Sequence, residues 1–319
     1  MTVPAVHRIE FPVDWEPGHV AAYLVDGPET VLFDAGTPGE DAREILRDGL
    51  GAVGFAPADI DHLVITHPHV DHIGQVETVL DAGSPRLYAP ASVEQRFARD
   101  EADLAAVVET NAQAAGVEDV AAAVEMSVRS LTRNRRLLPP ADVSRWVEPG
   151  ETVSIGGFDY TAVHAGGHQA DHLCYAADFD ETRTLFSGDM AIEPFRSVGL
   201  HVGLDNGVGE TIPTFYEGID RLGTLDIDRV YPGHGPVHES FHESIAQSRA
   251  SLDNLCEWVT TLLDSGIETG AAVATERART DRERSSLLPE SYGMVLWLEQ
   301  QGVVTSTIVD GVRRFRLAP

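Results

Sequence analysis

Apolar residues in this chain recur first in the short, near-continuous runs of buried strands and later at the three-to-four-residue spacing of helices. Residues 7–11, 20–25 and 30–33 are β-rich runs, punctuated by Gly27-Pro28 and Gly36-Thr37-Pro38-Gly39. Ile45, Leu46 and Leu50 stand at helical spacing and predict a helix over 41–50. A short apolar strand follows at 62–65, then a helix over about 73–82 and a strand at 87–89. Residues 91–135 are alanine-rich without a β signal, which predicts two or three inserted helices closed by Leu138-Pro139-Pro140. Strands return at 151–155, 160–163, 173–176 and 184–186, a helix at 211–222 and a strand at 229–231. From Glu239 a long helix runs to about Ser265, with helical segments at 268–280 and 286–301. The β runs 303–309 and 312–317 flank Asp310-Gly311, a strong hairpin signal. The pattern predicts an α/β domain over 1–240 with a helical insertion at about 91–135, then a small winged-helix-like domain over 241–319.

Composition adds a core and a strong charge. The chain has 319 residues, 43% of them apolar, enough for a substantial core rather than disorder. Acidic residues number 51 against 23 basic ones, a formal net charge of -28, and every basic residue is arginine. The expectation is a halophilic, cytoplasmic protein, because molar salt shortens the Debye length to ~3 Å and screens the self-repulsion of such a surface. The missing lysine excludes a lysine Schiff base and a phosphate-loop lysine. No apolar run approaches the ~20 residues of a membrane helix, and no signal-peptide pattern is visible, so no membrane partner is expected. Cys174 and Cys256 lack metal-like spacing and read as reduced structural thiols.

The chemistry is concentrated in Thr66-His67-Pro68-His69-Val70-Asp71-His72, directly after the strand at 62–65. Imidazole and carboxylate suit zinc, with manganese and iron also compatible. His67 and His69, two apart, can point to one metal; Asp71 and His72, at the start of the next helix, can point to a second. Three later segments place ligand-type side chains after strands and beside glycine: Ala165-Gly166-Gly167-His168, Phe186-Ser187-Gly188-Asp189 and Tyr231-Pro232-Gly233-His234-Gly235. Each glycine permits close backbone approach to a crowded site.

These motifs, with Phe33-Asp34-Ala35-Gly36 before them, resemble the metallo-β-lactamase superfamily in order and content over roughly residues 5–240. The resemblance implies an αββα sandwich with two divalent metals at one edge, most readily zinc. It implies one metal on His67, His69 and His168, the other on Asp71, His72 and His234, and Asp189 bridging them. Asp34, His164 and His172 are candidates for orienting those ligands, and His201 for lining the cleft. It further implies hydrolysis by a metal-bridging hydroxide, with Asp71 as the catalytic residue that orients the nucleophile.

The substrate stays open. His69 departs from the flavodiiron relatives, where a glutamate stands, and Gly188-Asp189-Met190-Ala191-Ile192-Glu193-Pro194 departs from the glyoxalase II pattern. The chain is more similar to the branch with a C-terminal winged-helix-like domain, which includes thioesterase-like hydrolases and a single-strand endoribonuclease. A small ester, thioester or lactone is the first expectation. Alternatives are a nuclease or phosphodiesterase acting on single-stranded nucleic acid, through Arg277, Arg279, Arg282, Arg284, Arg313, Arg314 and Arg316, and a mononuclear iron oxidoreductase. The appendage is also a candidate homodimer interface. The charge reading has its own test. The thermal unfolding midpoint is expected to rise steeply between about 0.1 M and about 2 M KCl as repulsion is screened. A midpoint that stays flat or falls contradicts it.

Overall fold

A computed structural model describes residues 3–319. The first half contains β1 (Ala5–Pro12), β2 (His19–Asp26), β3 (Val31–Phe33), α1 (Glu40–Ala52), β4 (His62–Val64), α2 (Val76–Ala82) and β5 (Arg86–Pro90). The alanine-rich stretch forms α3 (Ala91–Phe97), α4 (Glu101–Ala115) and α5 (Val120–Leu137), and β6 (Arg145–Val147) follows. The second half contains β7 (Thr152–Ile155), β8 (Phe158–His164), β9 (Leu173–Phe179), β10 (Thr182–Gly188), α6 (Thr211–Leu222) and β11 (Arg229–Pro232). The chain closes with α7 (Phe241–Asp264), α8 (Gly270–Arg277), α9 (Asp281–Gln300), β12 (Val304–Val309) and β13 (Val312–Leu317).

Two sheets run β1-β2-β3-β4-β5-β6 and β11-β10-β9-β8-β7. Their inner strands, such as β2, β3, β4 and β9, are buried on both faces, and the two-residue alternation of side chains sorts them into two clusters. Tyr23, Phe33, Tyr160, Tyr175, Phe179 and Phe186 fill the space between the sheets. Phe33 of the first sheet stacks on Phe186 of the second at 4.0 Å between ring centres. The alternate residues Leu24, Leu32, Leu63, Val163, Cys174 and Leu185 face outward and need a second cover. Helices supply it: α1 turns Ala42, Leu46 and Leu50 inward, and α6 turns Ile212, Phe215 and Ile219. The result is the expected αββα order.

Strand direction places the chemistry. β3 and β4 pair in parallel, as do β10 and β11, and β8 runs with β10 because both pair antiparallel with β9. The segments leaving the C-terminal ends of β3, β4, β8, β10 and β11 carry Asp34, residues 66–72, His168, Asp189 and His234.

One local expectation is corrected, and one strand, β6, was not expected. Asp71 and His72 lie in a turn, and α2 starts only at Val76. The His72 and Ile73 amides stay within the turn on His69 O, but the next two are committed elsewhere: Gly74 N–H donates to Gly36 O at 2.8 Å and Gln75 N–H to Ala35 O at 2.9 Å. β6 carries no strand-length apolar run and is held in the sheet by parallel pairing with β5. The hairpin is as expected, with Asp310 and Gly311 both at positive φ, 52° and 81°.

Helices α7–α9 and the closing hairpin follow the element order expected of the C-terminal unit. Their apolar side chains, including Tyr292, Val295, Leu298 and Phe315, are continuous with the cluster that contains Phe215 and Ile219. At this junction sits a buried ion-pair triad. Glu290 on α9 meets Arg196 at 2.6 Å and Arg277 at 2.5 Å, with 0%, 6% and 13% side-chain exposure. Burial alone raises a carboxyl pKa, but the two guanidinium groups outweigh it and hold Glu290 down at about 2. The folded value lies below the unfolded value of about 4.3, so the stabilisation is complete above that value and is lost as pH falls toward 2. At neutral pH Glu290→Gln is expected to cost roughly 3–5 kcal/mol, since it leaves two buried cations uncompensated. Urea unfolding of chelated wild type and variant should show that gap closing between about pH 5 and about pH 2.5. A gap independent of pH contradicts the assignment.

Candidate metal centre

The residues singled out in the sequence converge. Donor atoms of His67, His69, His168 and Asp189 lie within 4.8 Å of one another, as do those of Asp71, His72 and His234. Asp189 joins the two groups: its Oδ2 is 3.1 Å from His168 Nε2 and 3.5 Å from His234 Nε2, and its Oδ1 is 3.1 Å from His72 Nε2. His234 Nε2 lies 3.4 Å from Asp71 Oδ2. Glycine makes the approach possible. A Cβ on Gly233 would fall 2.7 Å from both Asp189 Oδ1 and His72 Cε1. One on Gly188 would fall 2.6 Å from His172 Nε2, at a φ of +50°.

The far side of each ring fixes which nitrogen faces inward. His72 Nδ1–H donates to Asp34 Oδ2 at 2.8 Å. Thr66 Oγ1–H donates to the same carboxylate at 2.8 Å, so its oxygen accepts from His67 Nδ1–H at 3.0 Å. Asp34 thereby orients His72 directly and His67 through Thr66. His168 Nδ1–H donates to Val198 O and His234 Nδ1–H to His19 O, each at 2.7 Å. All four rings therefore turn Nε2 toward the centre, and His69 presents Nδ1 at 2.9 Å from His67 Nε2 and 3.0 Å from His168 Nε2. One ring hydrogen on His69 can satisfy only one of these. His72 Nε2 and Asp189 Oδ1 are buried without a hydrogen-bond partner, although only 3.1 Å apart. Crowded, converging lone pairs of this kind fit bound cations.

The electrostatics agree. Burial opposes ionisation of Asp71, but His72 and His234 outweigh it and hold the carboxyl at about 2. Burial likewise opposes Asp189 ionisation, and His234, His72 and His168 reverse it to well below the usual range. Burial disfavours a charged His234, yet Asp189 and Asp71 push it up to about 10, and Asp189, Asp34 and Asp71 raise His72 in the same way. Burial depresses His67, and depresses His69 to about 3. The site is thus a buried pair of carboxylates that demands positive charge.

The remaining candidates fall into place by their contacts. His172 is fully buried and its Nε2 accepts from Asp189 N–H at 3.0 Å, which steadies that aspartate. The ring of His164 meets Ala170 O at 2.8 Å and Arg221 at 3.2 Å, and its hydrogen bonds reach none of the seven ligand candidates. His201 is buried at a φ of 47°, with its backbone N–H on His168 O at 2.7 Å. Cys174 is a buried residue of β9, and that burial pushes its thiol up, away from nucleophilic use. Thr66 and the carbonyls of Val198 and His19 were not anticipated. A hydroxyl beside a ligand histidine was a usable signal for Thr66; no side-chain pattern reports a carbonyl. The helical insertion also reaches the site, since Asn134 on α5 donates to Pro68 O at 2.8 Å, between the first two histidines.

Fold and site together define a metal-binding αββα protein of the hydrolase type. The family profile described as the metallo-beta-lactamase superfamily matches residues 15–234, and the chain belongs to that superfamily. It is 25% identical to the probable metallo-hydrolase YqjP of Bacillus subtilis (strain 168), over 96% of each chain. It is 21% identical to an atrochrysone carboxyl ACP thioesterase of Passalora fulva, over 90% of this chain and 67% of that one. A solved beta-lactamase domain protein from Burkholderia ambifaria superimposes with a TM-score of 0.79 at 21% identity, covering 100% of this chain and 94% of that one.

Asp34 is the most informative residue to alter outside the ligand set. Asp34→Asn is expected to weaken metal binding about 10–100-fold, because one amide oxygen cannot replace the two carboxylate oxygens that accept from Thr66 N–H, Thr66 Oγ1–H and His72 Nδ1–H. Competition titration against a chelator reads this directly; unchanged affinity contradicts the relay.

Proposed function

We propose that this protein is a dinuclear metal-dependent hydrolase whose substrate is a small activated acyl compound, with a thioester favoured over a simple ester or lactone. The observation that carries the proposal is the division of seven ligand-type side chains into two sets with Asp189 between them. The ligands of one ion would be His67, His69 and His168, those of the other Asp71, His72 and His234, and Asp189 would be shared. Zinc suits these donors best, with manganese or iron compatible. The similarity to proteins named as a metallo-hydrolase and an acyl-carrier thioesterase supports the choice of substrate class.

The bound ions would supply Lewis-acid polarisation of the acyl oxygen and water whose pKa falls from 15.7 to about 7. The chain supplies the rest. Asp71, held ionised, orients the attacking water and receives its hydrogen bond. The Asp34–Thr66 relay keeps His67 and His72 in one tautomer. Burial of His67, His72 and Asp189 keeps bulk water from competing for the centre. Residues 241–319, taken as a winged-helix-like unit, and the insertion α3–α5, which reaches Pro68 O through Asn134, would shape the substrate side. The low isoelectric point and absent lysine fit a halophilic, cytoplasmic setting, and no helix among the described residues is long and apolar enough to cross a membrane.

The nuclease alternative is weakened by the fate of the C-terminal arginines. Arg277, Arg282, Arg284, Arg313 and Arg314 each pair with a carboxylate of this chain, which leaves them poorly placed to track phosphates. Two donor sets likewise favour two ions over a single iron.

Parallel assays in molar KCl on an acyl thioester, a lactone and single-stranded RNA test the reading, together with elemental analysis. Two divalent ions per chain and thioester turnover are expected. Asp189→Ala and His168→Ala should each lose more activity than the roughly 10–100-fold typical of an outer partner. One iron and no zinc per chain, or RNA cleavage without acyl turnover, overturns the assignment.

A further inference from the structure

We infer that Glu290, in the middle of α9, is a positioning residue for the metal centre: it fixes the loop Arg196–His201, whose main chain and Ser197 side chain hold His168 and Asp189. This rests on the two-metal reading above and adds to it a role for the C-terminal unit.

The contacts form an unbroken path. Val198 O accepts from His168 Nδ1–H at 2.7 Å, which aims the opposite nitrogen at the centre. Leu200 N–H and His201 N–H both donate to His168 O, at 2.9 and 2.7 Å. Ser197 Oγ donates to Asp189 O at 2.6 Å. This loop therefore grips one ligand candidate by ring and carbonyl and a second by its carbonyl. It has no regular secondary structure of its own to set its place.

Its outer side is set by Glu290. Oε1 accepts from Gly199 N–H at 2.7 Å and from Arg196 Nη1 at 2.6 Å, and Arg196 Nη1 also donates to Ser197 O at 2.7 Å. Oε2 accepts from Arg277 Nη2 at 2.5 Å, which anchors the carboxylate to α8. Gly199 is needed for this approach, because a Cβ there would fall 3.0 Å from Glu290 Oε1 and 2.9 Å from Thr211 Cγ2. The carboxylate stands within a helix buried along Leu288–Val295, where apolar side chains would pack at no desolvation cost. A buried carboxylate that joins the Gly199 amide and Arg196 of this loop to Arg277 of α8 is explained by what the loop holds.

The test uses the full chain, stripped of metal and titrated with zinc against a competing chelator in high salt. Wild type is expected to take two equivalents. Glu290→Gln should take one tightly and the second about 10–100-fold more weakly. Leu298→Ala is the control: it removes a buried α9 side chain and makes none of the loop's hydrogen bonds, so it should lower the unfolding temperature yet keep both affinities. Gly199→Ala, which disturbs the same contact without removing a charge, should repeat the selective loss and serves if Glu290→Gln fails to fold. Wild-type affinities in both loop-directed variants overturn the inference, as does an equal loss in Leu298→Ala. A wild-type chain that takes fewer than two equivalents overturns the two-metal reading itself.

Discussion

The centre of this protein gathers Asp189, Asp71 and five imidazoles into contact, mostly out of reach of water, and like-charged or lone-pair-bearing groups do not stay there unaided. Each carboxylate loses hydration, and four of the five rings, those of His67, His72, His168 and His234, have their other nitrogen already spoken for. Positive charge at the middle resolves both problems at once. The fold can be read as the apparatus that keeps these groups together. Parallel strand pairs bring five strand ends to one edge, and the aromatic layer around Phe33 and Phe186 locks the two sheets that carry them.

Rigidity is passed outward in steps. Asp34, at a strained φ of 59°, ties the first sheet to two ligand rings. His172 does the same for Asp189 from the second sheet. The 196–201 loop then connects the centre to α9, and Asn134 connects it to the insertion. Parts that look like appendages in the sequence thus border the site and reach into its support.

Much of this was legible beforehand, for physical reasons. Strands buried on both faces write continuous apolar runs, so the sandwich and its element order could be read. Histidines and aspartates that follow strands, several of them beside glycine, are conspicuous in a sequence, so all seven ligand candidates stood out. The helix expected from about residue 73, with Asp71 and His72 at its start, begins only at Val76 because the Gly74 and Gln75 amides are taken by the carbonyls of residues 36 and 35, a tertiary fact with no local trace. His164 was grouped with the orienting residues because ligand histidines need such partners and a sequence does not say which residue supplies them; its ring meets Ala170 O. Val198, Gly199 and Glu290 were invisible because two of them act through the main chain and the third lies some ninety residues away in the chain.

The claim at the heart of this account is that the two donor sets hold two ions. Anomalous diffraction from crystals grown with zinc, recorded either side of the zinc edge, measures this directly. The account requires two peaks about 3.5–4 Å apart, one among His67, His69 and His168, the other among Asp71, His72 and His234, with Asp189 reaching both. A single peak, or peaks away from these side chains, contradicts it.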